Sequence, residues 1–100
     1  MQLIIKPAYN EEYRICEFRR SDGQGQLAAD EIITSCSILM LDSAGADVTS
    51  AMIAGVTPNN STQVLYELKG GAAGTRYVMH VRVITSSNQK LEEAFSLRVI

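Results

Sequence analysis

Residues 68 to 83 read LKGGAAGTRYVMHVRV, and this stretch decides the fold. From Tyr77 to Val83 the side chains alternate, with Tyr77, Met79, Val81 and Val83 on one side and Val78, His80 and Arg82 on the other. A period of two belongs to a strand with one face in a core, because successive Cβ atoms of an extended chain point to opposite faces. The glycines ahead of it, Gly70, Gly71 and Gly74, mark a corner that follows a strand end at Leu68. A tyrosine that opens a strand after such a corner is where immunoglobulin-like sandwiches bond a hydroxyl back to upstream backbone. Tyr77, with Gly74 and Leu68 framing it, is therefore expected to form a structural tyrosine corner. Antibody domains place a cysteine two positions later, whereas this chain has Met79. The core is expected to hold by packing without an inter-sheet disulfide.

Working outward, Thr62 to Leu68 (TQVLYEL) sends Val64, Tyr66 and Leu68 to one face, and Glu93 to Val99 (EAFSLRV) does the same with Phe95, Leu97 and Val99. The polar cluster TSSNQK from Thr85 to Lys90 has the composition of a hairpin connection, so the strands flanking it are expected to be antiparallel neighbours. Upstream, EIITSCSILML from Glu31 to Leu41 reads as a strand with Ile32, Cys36, Ile38 and Met40 on the core face and Thr34 among them. Leu39 and Leu41 suggest that its other face is covered too. In YRICEFR, Tyr13 to Arg19, Cys16 and Phe18 are assigned to the core, with Ile15 on the opposing face. Leu3 to Lys6 is a short apolar strand stopped by Pro7. SDGQGQLAAD (Ser21 to Asp30) is a long loop, DSAGAD (Asp42 to Asp47) is a turn, and TPNNS (Thr57 to Ser61) is a second turn signal. Val48 to Val56 is compatible with a short strand or with one helical turn.

Composition agrees with this pattern. The 100 residues include 7 Val, 9 Ile and 6 Thr but only 2 Pro, and stiff β-branched side chains suit a pleated surface. Six or seven short strands separated by turn clusters predict an all-β chain, an immunoglobulin-like or fibronectin-type β-sandwich of about seven strands, with residues 1–100 as one domain. Nine basic against eleven acidic residues leave a net charge of −2, which argues against nucleic acid or an anionic membrane surface as a partner. No apolar run approaches the roughly 18 to 20 residues that span a bilayer. The start MQLIIK lacks the form of a signal peptide, so a cytoplasmic site of synthesis is expected. Cys16 and Cys36 are too few and too far apart for a disulfide scaffold and are expected to be reduced.

No catalytic or metal site emerges. His80, the single histidine, falls mid-strand on the polar face beside Arg82, where a nucleophile–base pair has no pocket to form in. One histidine and two separated cysteines do not supply a zinc site. DSAGAD lacks the alternating oxygen ligands of a calcium loop. Gly70, Gly71 and Gly74 precede a strand rather than a helix, so they read as turn geometry and not as a phosphate cradle. Arg14, Arg19 and Arg20 form the only basic cluster, read first as a solvated strand end and, as the alternative, as a partner contact on which Tyr13 and Phe18 could stack. The residues alone describe an interaction or structural domain with no catalysis and no cofactor.

From Leu27 to Ile100 the chain resembles the phage fibre-tail adaptor family, small immunoglobulin-like virion proteins of tailed phages and prophages. The resemblance is carried by ADEIITS (Ala29 to Ser35), LKGGAAGTRY (Leu68 to Tyr77) and VITSSNQKLEEAFSLRVI (Val83 to Ile100). Asp30 with Ile32, then Gly70, Gly71, Gly74, Thr75 and Tyr77, then Thr85, Ser86, Ser87 and Glu92 match the family's pattern. The chain departs from it in having ICEFRR and no Trp before the first long loop. The resemblance implies a non-enzymatic structural protein of the virion, assembled in the host cytoplasm and joining tail or connector to fibre or baseplate components. Its partners would be other virion proteins, and it would form a homo-oligomer in the particle. Capsid decoration is the alternative role within the virion, and a carbohydrate- or surface-binding module is the alternative outside it. Leu3, Ile5, Arg14, Arg19 and Arg20 are the candidate partner contacts, with residues 1–10 read either as a contact arm or as the first strand.

Overall fold

Alternating burial organises seven strands into two sheets, described by a computed structural model for residues 2–18, 27 and 30–100. The strands are β1 (Gln2–Lys6), β2 (Glu12–Glu17), β3 (Ile33–Asp42), β4 (Ile53–Asn59), β5 (Gln63–Leu68), β6 (Arg76–Thr85) and β7 (Lys90–Val99), with one short helix, α1 (Thr49–Met52), ahead of β4. One sheet has the order β1-β7-β6-β3 and the other β2-β5-β4. All pairings are antiparallel except that of β1 with β7. The architecture is an all-β sandwich in which inward side chains of both sheets form one core: Val64, Tyr66 and Leu68 from β5, Met79, Val81 and Val83 from β6, and Phe95, Leu97 and Val99 from β7. These are the inward faces that the period of two predicts. Cys16 and Phe18 are buried as well, and neither cysteine forms a disulfide.

The glycine-rich corner joins the sheets. The Tyr77 hydroxyl accepts a hydrogen bond from the Ala72 backbone N–H at 3.0 Å. Gly74 N–H donates to the Val99 carbonyl at 2.8 Å, and Val99 N–H donates to the Thr75 carbonyl at 3.1 Å. Leu68, at the end of β5, is fully buried, while Gly74 lies on the exposed side of the corner. The β6–β7 hairpin turns at Ser86–Gln89, closed by Thr85 N–H to the Gln89 carbonyl at 3.0 Å, with Asn88 at φ 64°.

Two details depart from the sequence reading and one resolves it. On β3, Ile33 is 4% exposed and Ile32 46%, so Ile32 is not on the core face. The register runs Ile33↔Thr85 and then Ser35↔Ile84; a bulge spends two residues of β3 against one of β6 and reverses the parity that strict alternation assumes. Beyond the bulge Cys36, Ile38 and Met40 do share the core side. Pro58 is not in a turn but in β4, opposite Val64. It is tolerated because β4 is the terminal strand of its sheet and needs no N–H on its outer side. The turn follows at Asn60 and Ser61, with φ of 50° and 63°. Val48–Val56 holds both elements that the composition allowed, α1 and the start of β4.

One edge of the four-stranded sheet is covered by the chain itself. Val48 N–H donates to the Met40 carbonyl at 2.9 Å, and Thr49 Oγ1 accepts from Met40 N–H at 2.8 Å. Thr49 Oγ1 also donates to Asp47 Oδ1 at 2.6 Å. The outer end of β3 is thereby capped, a common way of keeping a sheet edge from pairing with another chain.

Candidate docking surface on the β1 and β2 edge

The opposite side of the sandwich differs. β1 and β2 are the terminal strands of their sheets on that side, each hydrogen-bonded to a single neighbouring strand among the described residues. They are placed beside each other by Arg14, whose Nη2 donates to the Ile5 carbonyl at 3.4 Å. Arg14 Nε donates to Glu12 Oε1 at 2.8 Å, and Asn10 Nδ2 donates to Glu12 Oε2 at 3.1 Å. Arg14 thus holds the two edge strands together and is not a free cation.

Around this brace the chain exposes apolar side chains: Leu3 at 54% and Ile5 at 49% on β1, Tyr13 at 75% and Ile15 at 53% on β2, and Tyr9 at 95% between them. Alternation turns Leu3 and Ile5 to the outer face of the four-stranded sheet and Tyr13 and Ile15 to the outer face of the three-stranded one, so the exposed apolar side chains flank this edge on both sides. Next to it lies a crevice of about 590 Å³ lined by Gln2, Ile15, Cys16, Glu17, Glu93, Ala94 and Phe95. It opens where β7 continues past its last β1 partner, since Gln2 pairs with Phe95 and Lys90 to Ala94 have β6 alone beside them among the described strands. Burial, with Glu93 and Glu17 adding to it, pushes the Cys16 thiol up to about 12, so Cys16 is a packing residue at the floor of this crevice and not a thiolate nucleophile.

The structure brings together Leu3, Ile5 and Arg14 from the candidate contacts. Arg19 and Arg20 lie outside the described residues. Phe18 is fully buried and offers no stacking surface, which corrects the reading of the cluster; Tyr13 alone of the two aromatics is available. Tyr9 is a further exposed aromatic, two residues after Pro7 in the turn that leaves β1, a position legible in the sequence as an aromatic beside a strand-stopping proline. On the outer face of the other sheet His80 meets Glu92, Nδ1 to Oε2 at 3.3 Å, while Arg82 Nε donates to Glu92 Oε1 at 2.7 Å. Among the described residues no group of three or more His, Cys, Asp or Glu side chains is placed to hold a metal ion, and no helix is long and apolar enough to cross a membrane.

The acidic partners of these surface networks titrate low. The Arg14 hydrogen bond holds the Glu12 carboxyl below its ordinary range, the Arg82 hydrogen bond does so for Glu92, and the Thr49 hydroxyl does so for Asp47. A carboxylate with a depressed folded-state pKa contributes stability above its unfolded pKa, 4.5 for Glu and 3.8 for Asp, and loses it as pH falls through the folded value. The thermal midpoint is therefore expected to drop between about pH 6 and about pH 3, by less in high salt because Glu92 and Asp47 are exposed and Glu12 is partly so. A midpoint that stays level across that window would contradict the assignment.

Among the described residues, one edge of the β-sandwich is capped by the chain itself and the other carries exposed apolar side chains. Residues 19–98 match the family model Gp77, described as Podophage GP4 fiber-tail adaptor protein gp77, and the chain belongs to that family. No curated protein matches the chain. Membership makes it a phage protein of the structural, tail-adaptor kind.

Proposed function

We propose that this protein is a non-enzymatic adaptor in the virion of a tailed phage, joining the tail or connector to a fibre or baseplate component. The observation that carries the reading is the family match over residues 19–98. The bare β1 and β2 edge supplies the means: an edge strand offers backbone donors and acceptors to an added strand, and Leu3, Ile5, Tyr13 and Ile15 offer apolar area beside it. Repetition of the chain around a symmetric ring multiplies each weak contact into a durable joint. Other virion proteins are its partners in this reading, which gives nucleic acid and membrane no part.

Quantitative mass spectrometry of purified particles tests it through copy number. A ring adaptor is expected in a small fixed number of copies per virion, about six or twelve, since a closed ring holds one set of equivalent subunits. Hundreds of copies would instead make it a capsid decoration protein, and absence from particles would end the virion reading altogether.

A further inference from the structure

On the outer face of the four-stranded sheet, two arginines stand directly opposite each other. The register pairs Arg76 with Arg98, and Arg98 with Ile5 on the next strand. Directly opposed side chains on antiparallel strands have Cβ atoms about 5 Å apart, and like charges there repel. Both arginines are exposed, and neither guanidinium makes a hydrogen bond or an ion pair with a described residue. The same face handles charge differently a few residues away, where Arg82 is opposite Glu92 and bonded to it at 2.7 Å. In a chain with eleven acidic residues and a net charge of −2, these two cations thus stand together with no neutralising carboxylate among the described residues.

Their surroundings are apolar. The adjacent row across the sheet runs Leu3, Ser96, Val78 and Leu41, and Ile5 continues the Arg98 row onto β1. Leu3 and Ile5 also belong to the bare edge, so the arginine pair extends that surface around onto the sheet face. Arginine binds carboxylates through paired N–H donors, and once covered by a partner it is enriched among residues that dominate binding energy.

We propose that Arg76 and Arg98, flanked by Leu3, Ile5, Val78 and Leu41, form a docking patch for an acidic segment of another virion protein, one that sets Asp or Glu side chains among apolar ones. A protein occupant is favoured over nucleic acid because two cations amid apolar side chains cannot track a phosphate backbone, which needs many such contacts. The inference rests on the adaptor reading above and names the partner chemistry of that surface.

Particles from phage lacking this gene, complemented with wild-type protein or with Arg98→Glu, separate the alternatives. Arg98→Glu puts a carboxylate opposite Arg76, so the isolated protein is expected to keep or raise its thermal midpoint while its copies per particle fall at least about tenfold. Arg98→Lys retains the charge, and treating those particles with a carbodiimide joins the lysine amine to a neighbouring carboxylate as an amide, the reagent leaving as its urea. The expected adduct is with Asp or Glu of a different virion protein. Wild-type incorporation of Arg98→Glu, an adduct confined to copies of this chain, or double-stranded DNA binding by wild type that Arg98→Glu abolishes would each overturn the patch. Absence of the wild-type protein from particles would overturn the adaptor reading instead.

Discussion

Replacing Gly71 by alanine is expected to lower stability by about 2–4 kcal/mol, the sum of a left-handed backbone forced on a Cβ-bearing residue and of overpacking. Gly71 has φ of +89°, and a Cβ there would stand 2.8 Å from Val99 Cγ2 and 3.0 Å from Met52 Cε. Val99 is a fully buried core residue, and its backbone is fixed to Thr75 and Gly74 on both sides, so it cannot retreat without opening the corner. Gly74 is the internal control. Its φ is +81°, yet nothing lies within 4 Å of where its Cβ would be, so Gly74→Ala is expected to cost only the backbone part, about 1–2 kcal/mol. Thermal unfolding should show the midpoint of Gly71→Ala lowered by about 10–25 °C and that of Gly74→Ala lowered by clearly less. Equal losses at the two positions would show that conformation alone, without close approach to the core, explains this glycine.

Lys6→Met is the second large effect, expected to cost about 2–4 kcal/mol because buried carbonyls would lose their donor. Lys6 is fully buried at the end of β1, and its Nζ donates to the carbonyls of Pro7 at 2.9 Å, Ala8 at 3.3 Å and Gly70 at 2.8 Å. An ammonium has three protons and here three acceptors, so its donor capacity is matched. Methionine fills nearly the same stem volume but donates nothing; Pro7 keeps one other donor, Asn10 N–H at 3.1 Å. Chemical denaturation of Lys6→Met measures the loss, and wild-type stability in that variant would show that water or other donors replace the ammonium readily. Because Lys6 pins β1 to the glycine corner, the same variant is expected to loosen Leu3 and Ile5 and to reduce incorporation into particles.

These two residues show how the corner sequence serves two ends. Gly70 would place a Cβ 2.9 Å from the Ala51 carbonyl oxygen, so the chain must be bare there for α1 to approach; the Gly70 carbonyl is then free to receive Lys6. The GG-x-x-G-T-x-Y pattern is accordingly a packing device that joins the end of β5, the last residues of β7 and the end of β1. The same joint holds in place the β1 edge proposed above for docking.

How much of this was legible in the sequence follows from the range of each interaction. Alternation along β5, β6 and β7 named their buried residues, because a strand with one face in the core encodes its burial in successive residues. The glycine corner announced a tight turn, and Asn60 and Asn88 marked positions where φ turns positive. The same local logic failed at Ile32 and Ile33, where a bulge shifts parity by one residue against β6, and at Lys6, whose burial depends on a carbonyl 64 residues away. The candidate site divides along the same line. Leu3, Ile5 and Arg14 could be singled out as an apolar strand and a basic cluster, but the bond that sets β2 beside β1 exists only once two separate sheets have stacked. Arg76 and Arg98 each read as ordinary outward residues, and only the β6–β7 register made them opposite neighbours. Local periodicity determines which side chains face inward; which outward side chains meet is decided by strand pairing and sheet packing, which join residues far apart in the chain.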